Sequence, residues 1–164
     1  MPLLRIATVV ISAVLWGWSF SLPAIVFRLS TDNGRHNMPF ETETYSGMGM
    51  FFASILGPCF LNFAGVANIL LLVGLILLLR NRPRGARINL GIAALLTLQT
   101  FQMRLIEFPF DEAGVRNGLL LHPLVGWYVW AGSILLPLAV AFLLPSLSPV
   151  FMAPAATAGG QVSS

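Results

Sequence analysis

The sequence predicts an all-α integral membrane protein, a bundle of four transmembrane helices. Of the 164 residues, 57% are apolar and only 9% are charged, whereas about 25% of residues are charged in an ordinary soluble domain. The mean hydropathy is +0.84. The apolar residues fall into four runs, each close to or above the roughly 20 residues that a helix needs to cross a bilayer. These values argue against a soluble globular domain, a disordered chain and a disulfide-stabilised scaffold.

The first predicted span covers residues 6–27, between Arg5 and Arg28. A cleaved signal peptide is the alternative, because the residues up to Arg5 resemble a short basic n-region. The apolar run is long for a signal peptide, and no clean A-x-A cleavage site follows it. The pattern therefore favours an uncleaved helix.

The second apolar run, residues 49–79, is too long for one straight span. A helix of this length would measure about 46 Å, against a hydrocarbon core of about 30 Å. Pro58 follows Gly57, and proline removes a helical hydrogen bond. We expect a helix that is broken or kinked near Gly57-Pro58. Either the helix is kinked and tilted, or a short membrane-entering helix to about Phe60 precedes a full span over 61–79; the pattern favours the second arrangement.

Two further spans complete the predicted bundle. The third covers residues 88–106 and the fourth residues 124–144, which Pro145 ends. Residues 1–144 would thus form a single transmembrane domain. Residues 145–164 are rich in Ala, Pro, Gly and Ser and carry no charged side chain, which predicts a disordered tail.

The distribution of charge predicts the orientation of these spans. The turn at residues 80–87 holds four arginines and no acid, whereas all six carboxylates fall within 28–48 and 107–122. Cytoplasmic loops carry the excess of basic residues. The arginine turn and both termini are therefore predicted to be cytoplasmic, and the two acidic loops to lie outside.

Two stripes of small residues are predicted to pack helices together. Small residues four positions apart let helix backbones approach closely in lipid. The stripes consist of Ala13, Gly17 and Ser21 in the first run, and Gly49, Ala53 and Gly57 in the second.

Polar side chains inside the apolar runs need partners, because an unpaired polar group in hydrocarbon is costly. They either line a polar cavity or form interhelical hydrogen bonds. The pattern favours the hydrogen bonds. Arg104 and Glu107 are three residues apart and can pair on one helical face. The candidate buried polar or interface positions are Asn62, Asn68, Gln99, Gln102, Arg104 and Glu107.

The sequence offers no convincing catalytic, metal or cofactor site. Cys59 is the only cysteine, which excludes an intramolecular disulfide and a Cys-x-x-Cys pair. His36 and His122 show no fixed metal-ligand spacing, and no basic patch predicts a nucleic-acid partner. Trp127 and Trp130 near the start of the fourth span are typical of an interfacial aromatic belt.

Three segments resemble a group of small, uncharacterised bacterial four-helix inner-membrane proteins. They are Asn62-Phe63-Ala64-Gly65-Val66-Ala67-Asn68, followed by a leucine-rich span and a basic turn, then Asp111-Glu112-Ala113-Gly114, and then Gly126-Trp127-Tyr128-Val129-Trp130-Ala131. The resemblance covers roughly residues 46–144. It implies a multi-pass protein of the bacterial inner membrane, and it provides no catalytic residues to transfer.

From these patterns we expect a non-enzymatic membrane protein, an accessory or interaction subunit of a membrane assembly. Its partners would be the lipid bilayer and other membrane subunits or a second copy of the chain. A small oligomeric transporter or channel component is the first alternative. An enzyme embedded in the membrane and acting on a lipid or quinone is the second.

Overall fold

The structure, a computed structural model, describes residues 2–31, 41–56, 61–105, 108–109 and 116–144. These residues are mostly helical but also contain a small sheet. In chain order the elements are α1 (Pro2–Ser19), β1 (Pro23–Thr31), β2 (Glu41–Ser46), α2 (Gly47–Leu56), α3 (Val66–Leu79), α4 (Pro83–Leu98), a 3₁₀ helix (Gln99–Arg104), β3 (Phe108–Pro109), β4 (Arg116–Pro123) and α5 (Val125–Leu143).

The sheet corrects the all-α prediction. Its order is β2-β1-β4-β3, with all neighbours antiparallel. The first predicted span is also wrong at its end, because the helix stops at Ser19 and the chain becomes extended from Pro23. Ile25, Phe27 and Leu29 are buried while Arg28 between them is exposed. This period of two is that of a strand with one buried face.

Four helices form a bundle in which α1 packs on α5, α5 on α4 and α4 on α3. The core between them is aliphatic and closely packed. Leu71, Leu90 and Ile134 are fully buried at its centre. Gly74 allows α3 and α4 to approach, since a Cβ there would lie 2.6 Å from the Leu90 side chain.

The turn between α3 and α4 is tight for a local reason. Asn81 adopts a left-handed conformation with φ 58°, which asparagine tolerates better than most residues. The N–H of Asn81 bonds to the carbonyl of Leu78, and that of Arg82 to the carbonyl of Leu77. This is the Schellman pattern that ends a helix, and Pro83 then occupies the first turn of α4.

The long second run is divided between α2 and α3, as the broken-helix alternative requires. Gly57 and Pro58 themselves lie outside the described residues. α3 begins at Val66 rather than near residue 61, and α4 begins at Pro83 rather than at residue 88. α5 agrees with the predicted fourth span, and the tail at 145–164 lies outside the described part of the chain.

Two described helices, α1 and α5, are long and apolar enough to cross a membrane. α3 is apolar but has only 14 residues, and α4 has 16. The observed helices thus agree with the prediction of an apolar helical protein without establishing four spans.

Candidate functional site

The two ends of the bundle differ in construction. At one end lie the α3–α4 turn and the end of α5, which Arg87 joins to the start of α4. At the other end the sheet follows α1 and precedes α5. A cavity of about 320 Å³ lies at this sheet end. It is bounded by the end of α1, by β1, by α2, by the starts of α3 and α5, and by the 3₁₀ helix.

The cavity wall is aromatic and uncharged. None of the described residues that line it is Asp, Glu, Lys, Arg or His. Met50 and Met103 add flexible apolar side chains, which adapt to irregular shapes. The described aromatic residues of the wall are Phe20, Phe27, Tyr45, Phe51, Trp127 and Trp130.

Asn68 forms a buried hydrogen-bond cluster at the floor of the cavity. Its Oδ1 accepts hydrogen bonds from the indole N–H of Trp16, at 2.8 Å, and of Trp130, at 2.9 Å. Its Nδ2 donates to the carbonyl of Gly65 at 3.3 Å. One amide therefore ties α1, α3 and α5 together, and satisfies two indole groups that need partners when buried.

Asn62 and Gln99 hold the irregular backbone before α3. The N–H of Phe63 donates to Gln99 Oε1 at 2.8 Å, and the N–H of Ala64 donates to Asn62 Oδ1 at 3.0 Å. Asn62 Nδ2 donates to the Gln99 carbonyl at 3.3 Å. Buried backbone outside a helix or sheet needs such partners, so these two side chains replace the missing helical bonds.

The sequence-predicted polar residues therefore do not form one group. Asn62 and Asn68 both line the cavity, whereas Gln99 and Gln102 are absent from its described wall. Gln99 pairs with the segment around Asn62, and Gln102 joins neither cluster. Asn62 bonds to Gln99 from the irregular segment before α3, whereas Asn68 forms hydrogen bonds that join helices, to indoles of α1 and α5.

Arg104 contacts the sheet. Its Nη2 donates to the carbonyl of Leu121 at 3.0 Å, and its guanidinium lies 5.4 Å from the Phe101 ring centroid. Glu107, its predicted partner, lies outside the described residues. Arg104 thus links the 3₁₀ helix to β4.

The two small-residue stripes have different surroundings. Ala13, Gly17 and Ser21 are all exposed, and a Cβ added at Gly17 would meet nothing within 4 Å. In the second stripe, the Gly49 N–H donates to Ser46 Oγ at the start of α2, and Ala53 lines the cavity. Gly57 lies outside the described residues. Within the described chain, the first stripe therefore packs against no helix.

No group of three metal-ligating side chains occurs among the described residues. His122 is exposed on β4, and His36 and Cys59 fall outside the described ranges. The loop carboxylates at 107, 111 and 112 are also outside them.

Sequence reasoning did not predict the structural roles of three residues, two at the cavity and one at the opposite end of the bundle. Thr100 is buried and lines the cavity, as does Trp127, whose buried Nε1 has no hydrogen-bond partner among the described residues. Arg87 caps the opposite end, donating from Nε to the Ala141 carbonyl at 2.8 Å and from Nη2 to the Leu144 carbonyl at 2.7 Å. An arginine directly before an apolar span was the only available signal for Arg87.

Comparison with protein families, with characterised proteins and with solved structures finds no match to the chain. The resemblance to small bacterial inner-membrane proteins therefore stays a prediction.

Proposed function

We propose that the chain is a four-span protein of the bacterial inner membrane and a non-enzymatic subunit of a membrane assembly. The membrane placement rests on the outer surface of the bundle. All four helices expose large apolar side chains, including Val10 on α1, Ile76 on α3, Leu95 on α4 and Leu135 on α5. Contiguous apolar surface of this kind is unusual on a soluble monomer, and lipid would cover it.

The shorter helices also fit a bilayer when their flanking segments are included. α3 alone spans about 21 Å. The irregular residues 61–65 precede it, and the N–H groups of Phe63 and Ala64 bond to Gln99 and Asn62. Non-helical backbone at membrane depth is tolerated where protein groups satisfy it. α4 and the 3₁₀ helix together extend about 36 Å.

The fold supports the proposed orientation. β2 and β3 lie within the two segments predicted to be outside, and β1, whose residues 28–31 belong to the first of these segments, pairs directly with β4. Segments that share a sheet lie on the same side of a membrane. The Arg80–Arg87 turn lies at the opposite end of the bundle, where the positive-inside rule places cytoplasmic residues.

Cysteine labelling tests this orientation in intact cells. In a Cys59→Ala background, Thr42→Cys on β2 should react with an impermeant thiol reagent, and Arg84→Cys on α4 should not. Both positions are exposed, so accessibility within the fold does not explain a difference. Labelling of Arg84→Cys alone would overturn the orientation.

The proposal that the protein is a subunit rests on the outer face of α1. Only 17% of α1 is buried within the described fold, against 44% for the other long apolar helix, α5. Val10, Val14 and Trp18 have large exposed side chains, and Gly17 among them has none, which leaves a notch in the helix surface. A notch of small residues permits the close backbone approach on which helix association in lipid depends. We therefore assign this face to a helix of another membrane subunit.

A matched pair of glycine variants tests the assignment. Gly17→Leu fills the notch, while Gly91→Leu adds the same side chain to α4, where a Cβ also meets nothing within 4 Å. Both changes should raise helix propensity by about 0.8 kcal/mol. Native mass spectrometry after gentle extraction should show a stoichiometric foreign subunit with the wild type and Gly91→Leu, and its loss with Gly17→Leu. A bare monomer or a homo-oligomer in the wild type would contradict the proposal.

The alternatives have less support. A transport pathway would continue beyond Asn68, but the core there is formed by buried aliphatic residues such as Leu71, Leu75 and Leu78. For the enzyme, the candidate Arg104 already bonds to a backbone carbonyl and His122 is exposed.

A further inference from the structure

We propose that the cavity at the sheet end binds a neutral, apolar molecule through a carbonyl oxygen. Its volume of about 320 Å³ falls at the lower end of the roughly 300–1,000 Å³ typical of small-molecule sites. The wall combines an apolar lining with a few buried polar groups, which is the usual composition of such sites. This inference does not depend on the proposed partner of α1.

The lining requires a neutral ligand. No described residue of the wall is charged, and transfer of an unpaired ion into an apolar environment is very unfavourable. A phosphate, carboxylate or ammonium group would therefore stay outside the cavity. Only the uncharged part of a molecule would be bound there.

The hydrogen-bond pattern around the two asparagines favours a ligand that accepts. Asn68 Oδ1 already receives two indole N–H groups, and Asn62 Oδ1 receives the N–H of Ala64. Each of these two amides donates one hydrogen bond to a backbone carbonyl, and each amide nitrogen carries two hydrogens. Both side chains therefore keep one N–H donor, and the Asn68 oxygen has no acceptor capacity left.

Two further donors belong to the same wall. Thr100 is 5% exposed, and its hydroxyl can donate. Among the described residues, the indole N–H of Trp127 is buried without a hydrogen-bond partner, and a buried donor of this kind is stabilised when it gains an acceptor. A carbonyl oxygen accepts hydrogen bonds, has no charge and suits a donor-rich apolar site.

The aromatic wall and its opening define the rest of the ligand. Trp127 packs edge-on against Phe101 at a centroid separation of 5.2 Å, and Phe20 packs against Phe51 at 5.3 Å. Of these side chains, Trp127, Phe20 and Phe51 line the cavity and present ring surfaces suited to a planar ring or an acyl chain. Ala53 is both exposed and part of the wall, so the cavity opens beside α2. A quinone ring and the ester group of a lipid share the required chemistry.

Thermal unfolding of the full chain in detergent tests the proposal with three probes. These are a decyl-substituted benzoquinone, methyl laurate as the ester, and dodecane, which lacks a carbonyl. We expect the unfolding midpoint to rise with the benzoquinone, the ester or both, because a ligand that binds the native state stabilises it. A response to only one carbonyl probe identifies the source. An equal response to dodecane, or no response to either carbonyl probe, would overturn the proposal.

Two pairs of variants localise the binding. Ala53→Trp fills the opening, while Ala139→Trp adds the same bulk to an exposed position on α5. Thr100→Val removes a lining hydroxyl, and Thr97→Val removes one that is equally buried but bonds to the Ala94 carbonyl. Ala53→Trp should abolish the shift, and Thr100→Val should weaken binding about 5- to 10-fold. The two controls should bind like the wild type, and equal binding by all four variants would place the ligand elsewhere.

Discussion

The backbone groups left unsatisfied at the two ends of the helix bundle find their hydrogen-bond partners in different ways. At the arginine end, a Schellman turn at Asn81 and the guanidinium of Arg87 satisfy the ends of α3 and α5. At the sheet end, the side-chain amides of Asn62 and Gln99 replace helical bonds around residues 61–65. An aliphatic core lies next to the arginine end, whereas a cavity lies at the sheet end.

The difference shows where the molecule can adapt. The arginine half is filled by Leu71, Leu78 and Leu90, each almost fully buried, and such packing tolerates little change. The sheet half surrounds a cavity of about 320 Å³ with aromatic rings and methionines. Local stability should therefore be higher in the first half, and ligand binding belongs to the second.

The largest expected effect comes from the amide that joins the two halves. Asn68→Leu leaves the indole N–H groups of Trp16 and Trp130 without their acceptor. At about 1–3 kcal/mol for each unpaired donor, the free energy of unfolding should fall by about 3 kcal/mol. The control, Asn89→Leu, removes only a bond within α4 to the Gly85 carbonyl. Denaturation in detergent, followed by tryptophan fluorescence, measures both; equal losses would contradict a special role for Asn68.

A second comparison measures the packing of the two halves directly. Leu71→Ala creates a void in the aliphatic core, where Leu71 is fully buried. The free energy of unfolding should fall by about 2 kcal/mol. Met103→Ala enlarges a cavity that already exists and removes a partly buried side chain, so its cost should be about half as large. The same unfolding measurement checks the pair. A larger loss from Met103→Ala would reverse the assignment of the rigid and adaptable halves.

The smallest expected effect concerns the cap at the arginine end. Arg87→Lys keeps the charge but loses the two-point contact with the carbonyls of Ala141 and Leu144. We expect a loss of about 1 kcal/mol, since lysine cannot reproduce the planar guanidinium. Arg84→Lys, at an exposed position, is the control and should be close to neutral. Hydrogen exchange should also increase in the last turn of α5 in Arg87→Lys only.

The sequence predicted part of the site because some of its signals are local. The break in the second apolar run followed from Gly57-Pro58, and the need of Asn62, Asn68 and Gln99 for partners followed from the cost of unpaired amides in apolar segments. The partners of Asn68 did not follow. Trp16 and Trp130 are 52 and 62 residues away, and nothing in the local sequence selects those two indoles from the other aromatic residues.

The sequence by itself determined the apolar helical character, the arginine turn and the start and end of α5. The signals for these features are hydropathy, Pro83 and the residues before Pro145, and each signal acts over one or two helical turns. Only the tertiary structure decided that residues 23–31 form a strand. Their apolar run continues directly from α1, and the β-structure depends on pairing with β4, about 90 residues later in the chain. The cavity arises from the same long-range pairing, because the sheet holds the ends of α1 and α5 in place around it. Contacts at such separation are set by the free energy of the whole fold, which no local pattern records.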